Sequence, residues 1–420
     1  MLSFITTILS NPAFILGIIA LVGLAALKKS GSDIIKGTLK TIFGFLILQA
    51  GATIIVNALI PFSTMFTSAF QLSGIVAEDN SLVAAVQKLL GRETALIMVF
   101  SFLINLILAR ITPWKYIFLT GHMMFSFAGT MAIVLDQMGF SGAKLILIGS
   151  VIQGVSMVLF PAISQPMVRK VTGNDNVAFG FWGSSLVSLS GVIGGIFGDK
   201  SRSAEEIKVS KKFDFLKDMS ILMGMVMAGI YIVTALAAGK DVVSKLSNGQ
   251  NIILFSIIQA FTFVAGILVL LQGVRMFLGE IVPAFKGIGE KIVPGSKPAL
   301  DVPIFYSYSP MAVTIGFLSA MVGGLIVTFI SSFLPVVVLP SVIGLFFMGG
   351  AAGVFGNKTG GRRGAIIAGL FLGFSFSLLI ALAYPLVNVT KYGVRGLWFA
   401  SSDSIIVIII MRLVGKLFGI

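Results

Sequence analysis

Long apolar runs separated by short charged loops set the layout of the chain. Hydropathy places membrane spans near residues 4–27, 41–60, 95–109, 144–160 and 178–197, and again near 219–238, 252–278, 311–334, 365–386 and 399–418. One stretch breaks the pattern. Residues 271–310 carry Pro283, Pro294, Pro298, Pro303 and Pro310 among Arg275, Glu280, Lys286, Glu290, Lys291, Lys297 and Asp301. Prolines remove backbone donors, and those charges are costly in hydrocarbon. The centre of this stretch is therefore expected to be wrapped in protein or to face water, and Asp301 is the first candidate site residue.

Composition turns the pattern into a class. The 420 residues are 57% hydrophobic and 11% charged, with a mean hydropathy of +1.04, which excludes a water-soluble domain. The chain reads as an all-α polytopic membrane protein of about 10–11 transmembrane helices. A net charge of +14 is scattered over short loops, so it is assigned to positive-inside loops and anionic membrane lipid, with no nucleic acid as partner. There is no cysteine, which removes disulfides, thiolate metal sites and a thiol nucleophile. A single histidine cannot build a zinc cluster, so neither a metal nor a cofactor is expected. The first apolar run leads into Lys28 and Lys29 without a basic segment before it, and reads as a span in place of a cleavable signal.

Lysine and arginine set the expected orientation. The loops 28–40 and 199–217 are rich in lysine and belong inside, which puts the N-terminus outside and the 110–115 turn inside with residues 271–310. The chain divides into 1–198, a connector 199–218, and 219–420. At a constant offset of 222 positions, Pro61 matches Pro283, Asp79 matches Asp301, Pro113 matches Pro335 and Phe125 matches Phe347. Five spans per half is an odd number, so the second copy is expected upside down, as an inverted repeat of five spans plus one re-entrant hairpin each. The hairpins are placed at 114–131 and 336–355, where glycine and small residues interrupt the apolar run. Residues 271–297 then read as a connector answering residues 49–75.

The chemistry-bearing residues are few. His122 sits beside Thr120 and Gly121 at an expected hairpin tip and can donate to or accept from a hydroxylated ligand. Asp79, next to Glu78, and Asp301, next to Val302, hold matching places in the two copies. Their plainer reading is as caps of the helix near Ser81 and of the turn before Pro303. Their functional reading is as acceptors for vicinal hydroxyls. Arg275 and Glu280 read as partners of one another or as anchors. Gly191–Gly195 and Gly369–Gly373 have the spacing of close helix packing.

Several blocks then carry a family resemblance. They are Leu27-Lys28-Lys29-Ser30, Ile34-Ile35-Lys36-Gly37-Thr38, Leu48-Gln49-Ala50-Gly51, Leu119-Thr120-Gly121-His122-Met123-Met124-Phe125, Gln272-Gly273-Val274-Arg275-Met276-Phe277, and Tyr306-Ser307 after Asp301. The chain resembles the membrane subunit, enzyme IIC, of ascorbate-type phosphotransferase systems. The resemblance implies a homodimeric sugar transporter of the bacterial inner membrane, most readily for L-ascorbate or a related sugar acid. Phosphorylation is left to a separate enzyme IIB charged through enzyme IIA, so no catalytic residue is expected on this chain. It implies substrate contacts at His122 and Asp301, with Gly121, Ser126, Val302, Asp79 and Glu78 around them. Ser126 stands where the family has Gln, and Gly180-Phe181-Trp182 where it has Gly-His-Gln, so aromatic faces of Phe181 and Trp182 are candidates to stack on the sugar. The competing class is a stand-alone transporter in which Asp79 or Asp301 binds a coupling proton or cation.

Overall fold

A computed structural model of the chain describes residues 12–70, 74–77, 79–207, 218–291, 293–334, 336–394, 397–417 and 419. The first half contains α1 (Pro12–Ala26), α2 (Gly31–Phe70), β1 (Gly74–Ala77), α3 (Asp79–Ile111), β2 (Tyr116–Phe118), α4 (Gly121–Gln137), α5 (Gly142–Thr172), β3 (Ala178–Phe179) and α6 (Ser184–Phe197). The second contains α7 (Met219–Ala238), α8 (Lys240–Ser247), α9 (Ile252–Lys291), β4 (Lys297–Leu300), α10 (Pro303–Tyr306) and α11 (Pro310–Ser331). It closes with β5 (Val337–Leu339), α12 (Val342–Gly344), a π-helical turn at Leu345–Gly349, α13 (Gly350–Ala383), β6 (Leu397–Trp398) and α14 (Ser402–Leu417).

Helices dominate, as a chain this apolar requires in lipid. Phe100, Leu103 and Ile107 on α3, Phe329 on α11 and Leu417 on α14 are exposed, so the outward faces are apolar and suited to lipid. Among the described residues five helices are long and apolar enough to cross a membrane, or six if α7 and α8, bent by 119°, count as one span. Hydropathy had suggested about ten crossings. Of those ten, the segments in α1, α2, α6, α7 and α14 do not pass singly among the described residues; α1, α6 and α14 have only 15, 14 and 16 residues there.

Residues 271–291 correct a sequence expectation. They are the end of α9, a 40-residue helix running past Pro283, and residues 49–70 are likewise the end of the 40-residue α2, which contains Pro61. One proline removes one hydrogen bond, which a helix of this length accommodates when it is packed along its side. Here α2 and α9 pack on each other, with α1 and α7 against them. Glu280 pairs with Lys40 of α2 at 3.2 Å, so its partner comes from the other half and is not Arg275. The remaining helices, α3 to α6 with α11, α13 and α14, form a second packed group built on the pairs α11–α13, α6–α13 and α3–α5.

Strands are the feature hydropathy did not announce. Two parallel three-stranded sheets lie within the helices, in the orders β5-β1-β6 and β2-β4-β3. In each, the central strand comes from one half and its two neighbours from the other. Buried side chains finish the pairing: Asn105 donates to Tyr116 O and accepts Phe118 N, both at 3.0 Å, and Thr328 and Ser331 bind the two backbone groups of Val338 in the other sheet.

The segments expected as hairpins are therefore a strand followed by a helix. β2 starts beside Lys297 and Asp175, at the C-terminal end of α5, and α4 ends at the short turn that enters α5. With 31 residues α5 is about 46 Å long, so β2 and α4 together run antiparallel to it over that length. Residues 114–131 continue across the fold and do not return to their own face. In the second half α12, the π-turn and α13 follow β5 in the same way, until α13 breaks at Gly360 and Gly361. Gly361 has φ +59°, and a Cβ there would overlap the carbonyl oxygens of Asp199 and Arg202. The first residues of the connector are thus clasped to α13, whereas Lys208, Lys211, Lys212 and Lys217 lie outside the described residues.

Candidate functional site

The sheet β2-β4-β3 places the site. Register pairs Phe118 with Ala299, and Leu119 N donates to Ala299 O at 3.1 Å, so the segments leaving β2 and β4 emerge side by side. Three residues after Leu119 comes His122, in the first turn of α4; directly after Leu300 comes Asp301. The sequence positions Asp301 and His122, 179 apart, end with Nε2 and Oδ2 separated by 3.7 Å. That is too long for a hydrogen bond, but one ligand oxygen at about 2.8 Å from each would bridge them. Asp301 Oδ1 is occupied by the N–H of Val302 at 2.7 Å.

The first turn of α4 is held rigidly. Trp182 Nε1 donates to Met123 O at 2.6 Å, Gln153 Nε2 to Met124 O at 2.7 Å, and Ser126 Oγ to Met123 O at 3.1 Å. Meanwhile Thr120 Oγ1 and His122 Nδ1 are buried and have no hydrogen-bond partner among the described residues. Native interiors rarely leave such groups unpaired, so two unsatisfied atoms beside the N-terminus of α4 make this a candidate place for a polar ligand. Gly121, at the first position of α4, is buried there, and Ser126 and Val302 are buried close behind. Tyr306, five residues after Asp301, donates its hydroxyl to Phe347 O at 3.0 Å in the π-helical turn. Such turns concentrate at functional sites, and no hydropathy signal marks this one.

Asp79 occupies the matching place in the other sheet. Its Oδ1 accepts Ala400 N at 2.8 Å and its Oδ2 accepts Ser401 Oγ, so it caps the turn between β6 and α14 in the other half. The cap on residues 400–401 adds an element of the other half to the plainer expectation, which placed Asp79 at the start of its own helix. Glu78 lies outside the described residues. Trp182 is fully buried, its ring 4.5 Å from Phe118 and 4.4 Å from Phe127. Its faces are occupied by protein, so it serves as packing for α4 and not as a sugar platform. Phe181 is also buried, against Phe179.

Sequence reasoning passed over Asn105, which has no charge and sits in an apolar run. Asn105→Leu is expected to leave Tyr116 O and Phe118 N unpaired in the interior, costing about 1–3 kcal/mol per group. Thermal unfolding in detergent checks this, with an unchanged midpoint as the contrary result.

A model of sugar-specific permease components of phosphotransferase systems matches residues 7–403. The chain is 28% identical over 441 aligned positions to a protein of Mycoplasma pneumoniae described as the ascorbate-specific EIIC component of such a system. The alignment covers 92% of this chain and 66% of that relative, so the chain spans just under two thirds of the relative's length.

Proposed function

The chain belongs to the sugar-specific permease components of phosphotransferase systems, multi-pass proteins of the plasma membrane, and from that premise we propose that it imports L-ascorbate or a related sugar acid. The observation that carries this reading is the His122–Asp301 pair, 3.7 Å apart beside the N-terminus of α4 and Thr120 Oγ1, which has no partner among the described residues. Asp301 accepts sugar hydroxyls. The backbone N–H groups at Gly121 and His122 favour the acidic part of the ligand, which Asp301 alone would repel. Transfer of phosphate to the sugar falls to enzyme IIB, charged through enzyme IIA, because this chain has no cysteine to carry it.

The inverted-repeat reading draws support from the sheets. Exchanging the halves takes β1 to β4, β2 to β5 and β3 to β6, which converts the order β5-β1-β6 into β2-β4-β3. The 40-residue α2 and α9 correspond in the same way. In this reading 1–198 and 219–420 are the two copies, joined by 199–218. The group α1, α2, α7 and α9 carries the contact between two subunits of a homodimer, and the second group carries the sugar.

In vesicles, ascorbate uptake is expected to require phosphoenolpyruvate and the soluble subunits and to deliver ascorbate phosphate inside. Uptake of unmodified sugar driven by an ion gradient, without those subunits, would replace this reading with a stand-alone transporter.

A further inference from the structure

A second charged cluster lies at the start of β4, the strand that leads to the site. Lys297, the first residue of β4, pairs with Asp175 in the turn between α5 and β3. Asp175 also accepts Arg169 Nε at 2.8 Å and Gln165 Nε2 at 2.7 Å. Partial burial opposes ionisation of Asp175, but hydrogen bonds from Lys297, Gln165 and Arg169 outweigh it and hold its carboxyl down at about 2. The cluster is open to the surface: the side chains of Lys297, Asp175 and Arg169 are 23%, 44% and 54% exposed. Arg110, Lys115 and Lys170 share this end, with Lys115 Nζ on Arg110 O and Lys115 O accepting Lys297 N at 2.7 Å. Cations gather there as they do on cytoplasmic faces.

We propose that Lys297 and Arg169 receive the phosphoryl group of the soluble carrier protein, with Asp175 holding both cations in position until the phosphate displaces it. This rests on the phosphotransferase reading above. An ammonium and a guanidinium converging on one oxyanion are what a phosphate needs, and a phosphoryl group brings more charge and more acceptor oxygens than the carboxylate it replaces. The location fits as well. From Lys297 four residue steps of extended chain, about 13 Å, lead to Asp301, so the phosphate docks at the mouth of the strand pair, and transfer takes place once the sugar has left Asp301 and reached that mouth. In the transfer the carrier's S–P bond breaks as an O–P bond to a sugar hydroxyl forms. The electron pair leaves on the thiolate and the hydroxyl proton passes to water. Lys297 and Arg169 bind charge throughout and change no covalent bond.

The rival role for the cluster is a staple fixing β4 against the turn before β3. Purified protein in nanodiscs, phosphorylated enzyme IIB of the ascorbate type and labelled ascorbate separate the two. Lys297→Gln is expected to slow ascorbate phosphorylation about tenfold or more, the worth of one charge-assisted hydrogen bond, with ascorbate affinity unchanged and Lys297→Arg largely active. Arg169→Gln, at a more exposed position, repeats the test if Lys297→Gln does not assemble. The double variant Lys297→Glu with Asp175→Lys keeps an ion pair but reverses the charge offered by β4. The proposal expects it to stay impaired, and recovery of the wild-type rate would show a staple and overturn it, as would wild-type phosphorylation by both single Gln variants. Wild-type protein that binds ascorbate yet never supports its phosphorylation by enzyme IIB would instead remove the underlying functional reading.

Discussion

Asp301→Asn is expected to weaken ascorbate binding by a factor of about 30 or more, with the melting temperature nearly unchanged. Removing one member of a buried, hydrogen-bonded charge contact costs about 2–5 kcal/mol, and 2 kcal/mol is roughly 30-fold in affinity. Asn keeps the shape of the side chain and can still accept the Val302 N–H, so β4 and the turn after it have no reason to move. His122→Ala should match it from the other side of the 3.7 Å gap. Because one ligand oxygen is expected to bridge both groups, the double variant should lose less than the sum of the two single losses. Equilibrium binding of labelled ascorbate to protein in nanodiscs measures all three. Wild-type affinity in both single variants would take the pair out of the site.

Gly373→Val should be the most damaging single change away from the site. A Cβ at Gly373 would overlap the carbonyl oxygen of Ala320, and at Gly369 one would press on Gly316 O. On α13 these two glycines form the seam against α11, and without a hydrophobic drive between helices in lipid such backbone contact is a main source of their association. Overpacking a seam of this kind costs about 1–3 kcal/mol, and more where backbone must move. Size-exclusion profiles after heating should show the midpoint falling by about 1–3 °C, and further where backbone moves. Ile326→Ala, on the exposed side of α11, supplies the control. If Gly373→Val melts with the control, the seam is not tight.

How far the sequence announces this molecule depends on the kind of force involved. Burial in lipid writes itself into every residue of a span, so the class and the glycine seam were legible, and rare residues matched at one offset suggested that Asp79 answers Asp301. Two-residue and three-residue strands leave no such trace. β3 and β6 each have two residues, and their hydrogen bonds go to partners over a hundred positions away. Proline misled in the other direction: Pro61 and Pro283 mark helix interiors because each helix is supported along its length by the other. Within the site, His122 and Asp301 were visible as the lone histidine and a charge in an apolar run. Asn105 and the π-helical turn below Tyr306 were not, since their roles arise only once the strands pair. For Trp182 an aromatic in a polar position suggested ring stacking with sugar, and only the neighbours Phe118 and Phe127 show that its faces are taken.

The exchange of strands between halves also constrains how the protein is made. While the ribosome is still on the first half, β1 has neither of its neighbours and β2 and β3 lack the strand that belongs between them. Their backbone groups would be unpaired at membrane depth, a state that costs several kcal/mol for each group. The first sheet can close only after residue 300 has been inserted, and the other waits for β6 near residue 398. Nascent chains of this protein must therefore linger in a protected setting, at the translocon or under an insertase, until β6 is delivered.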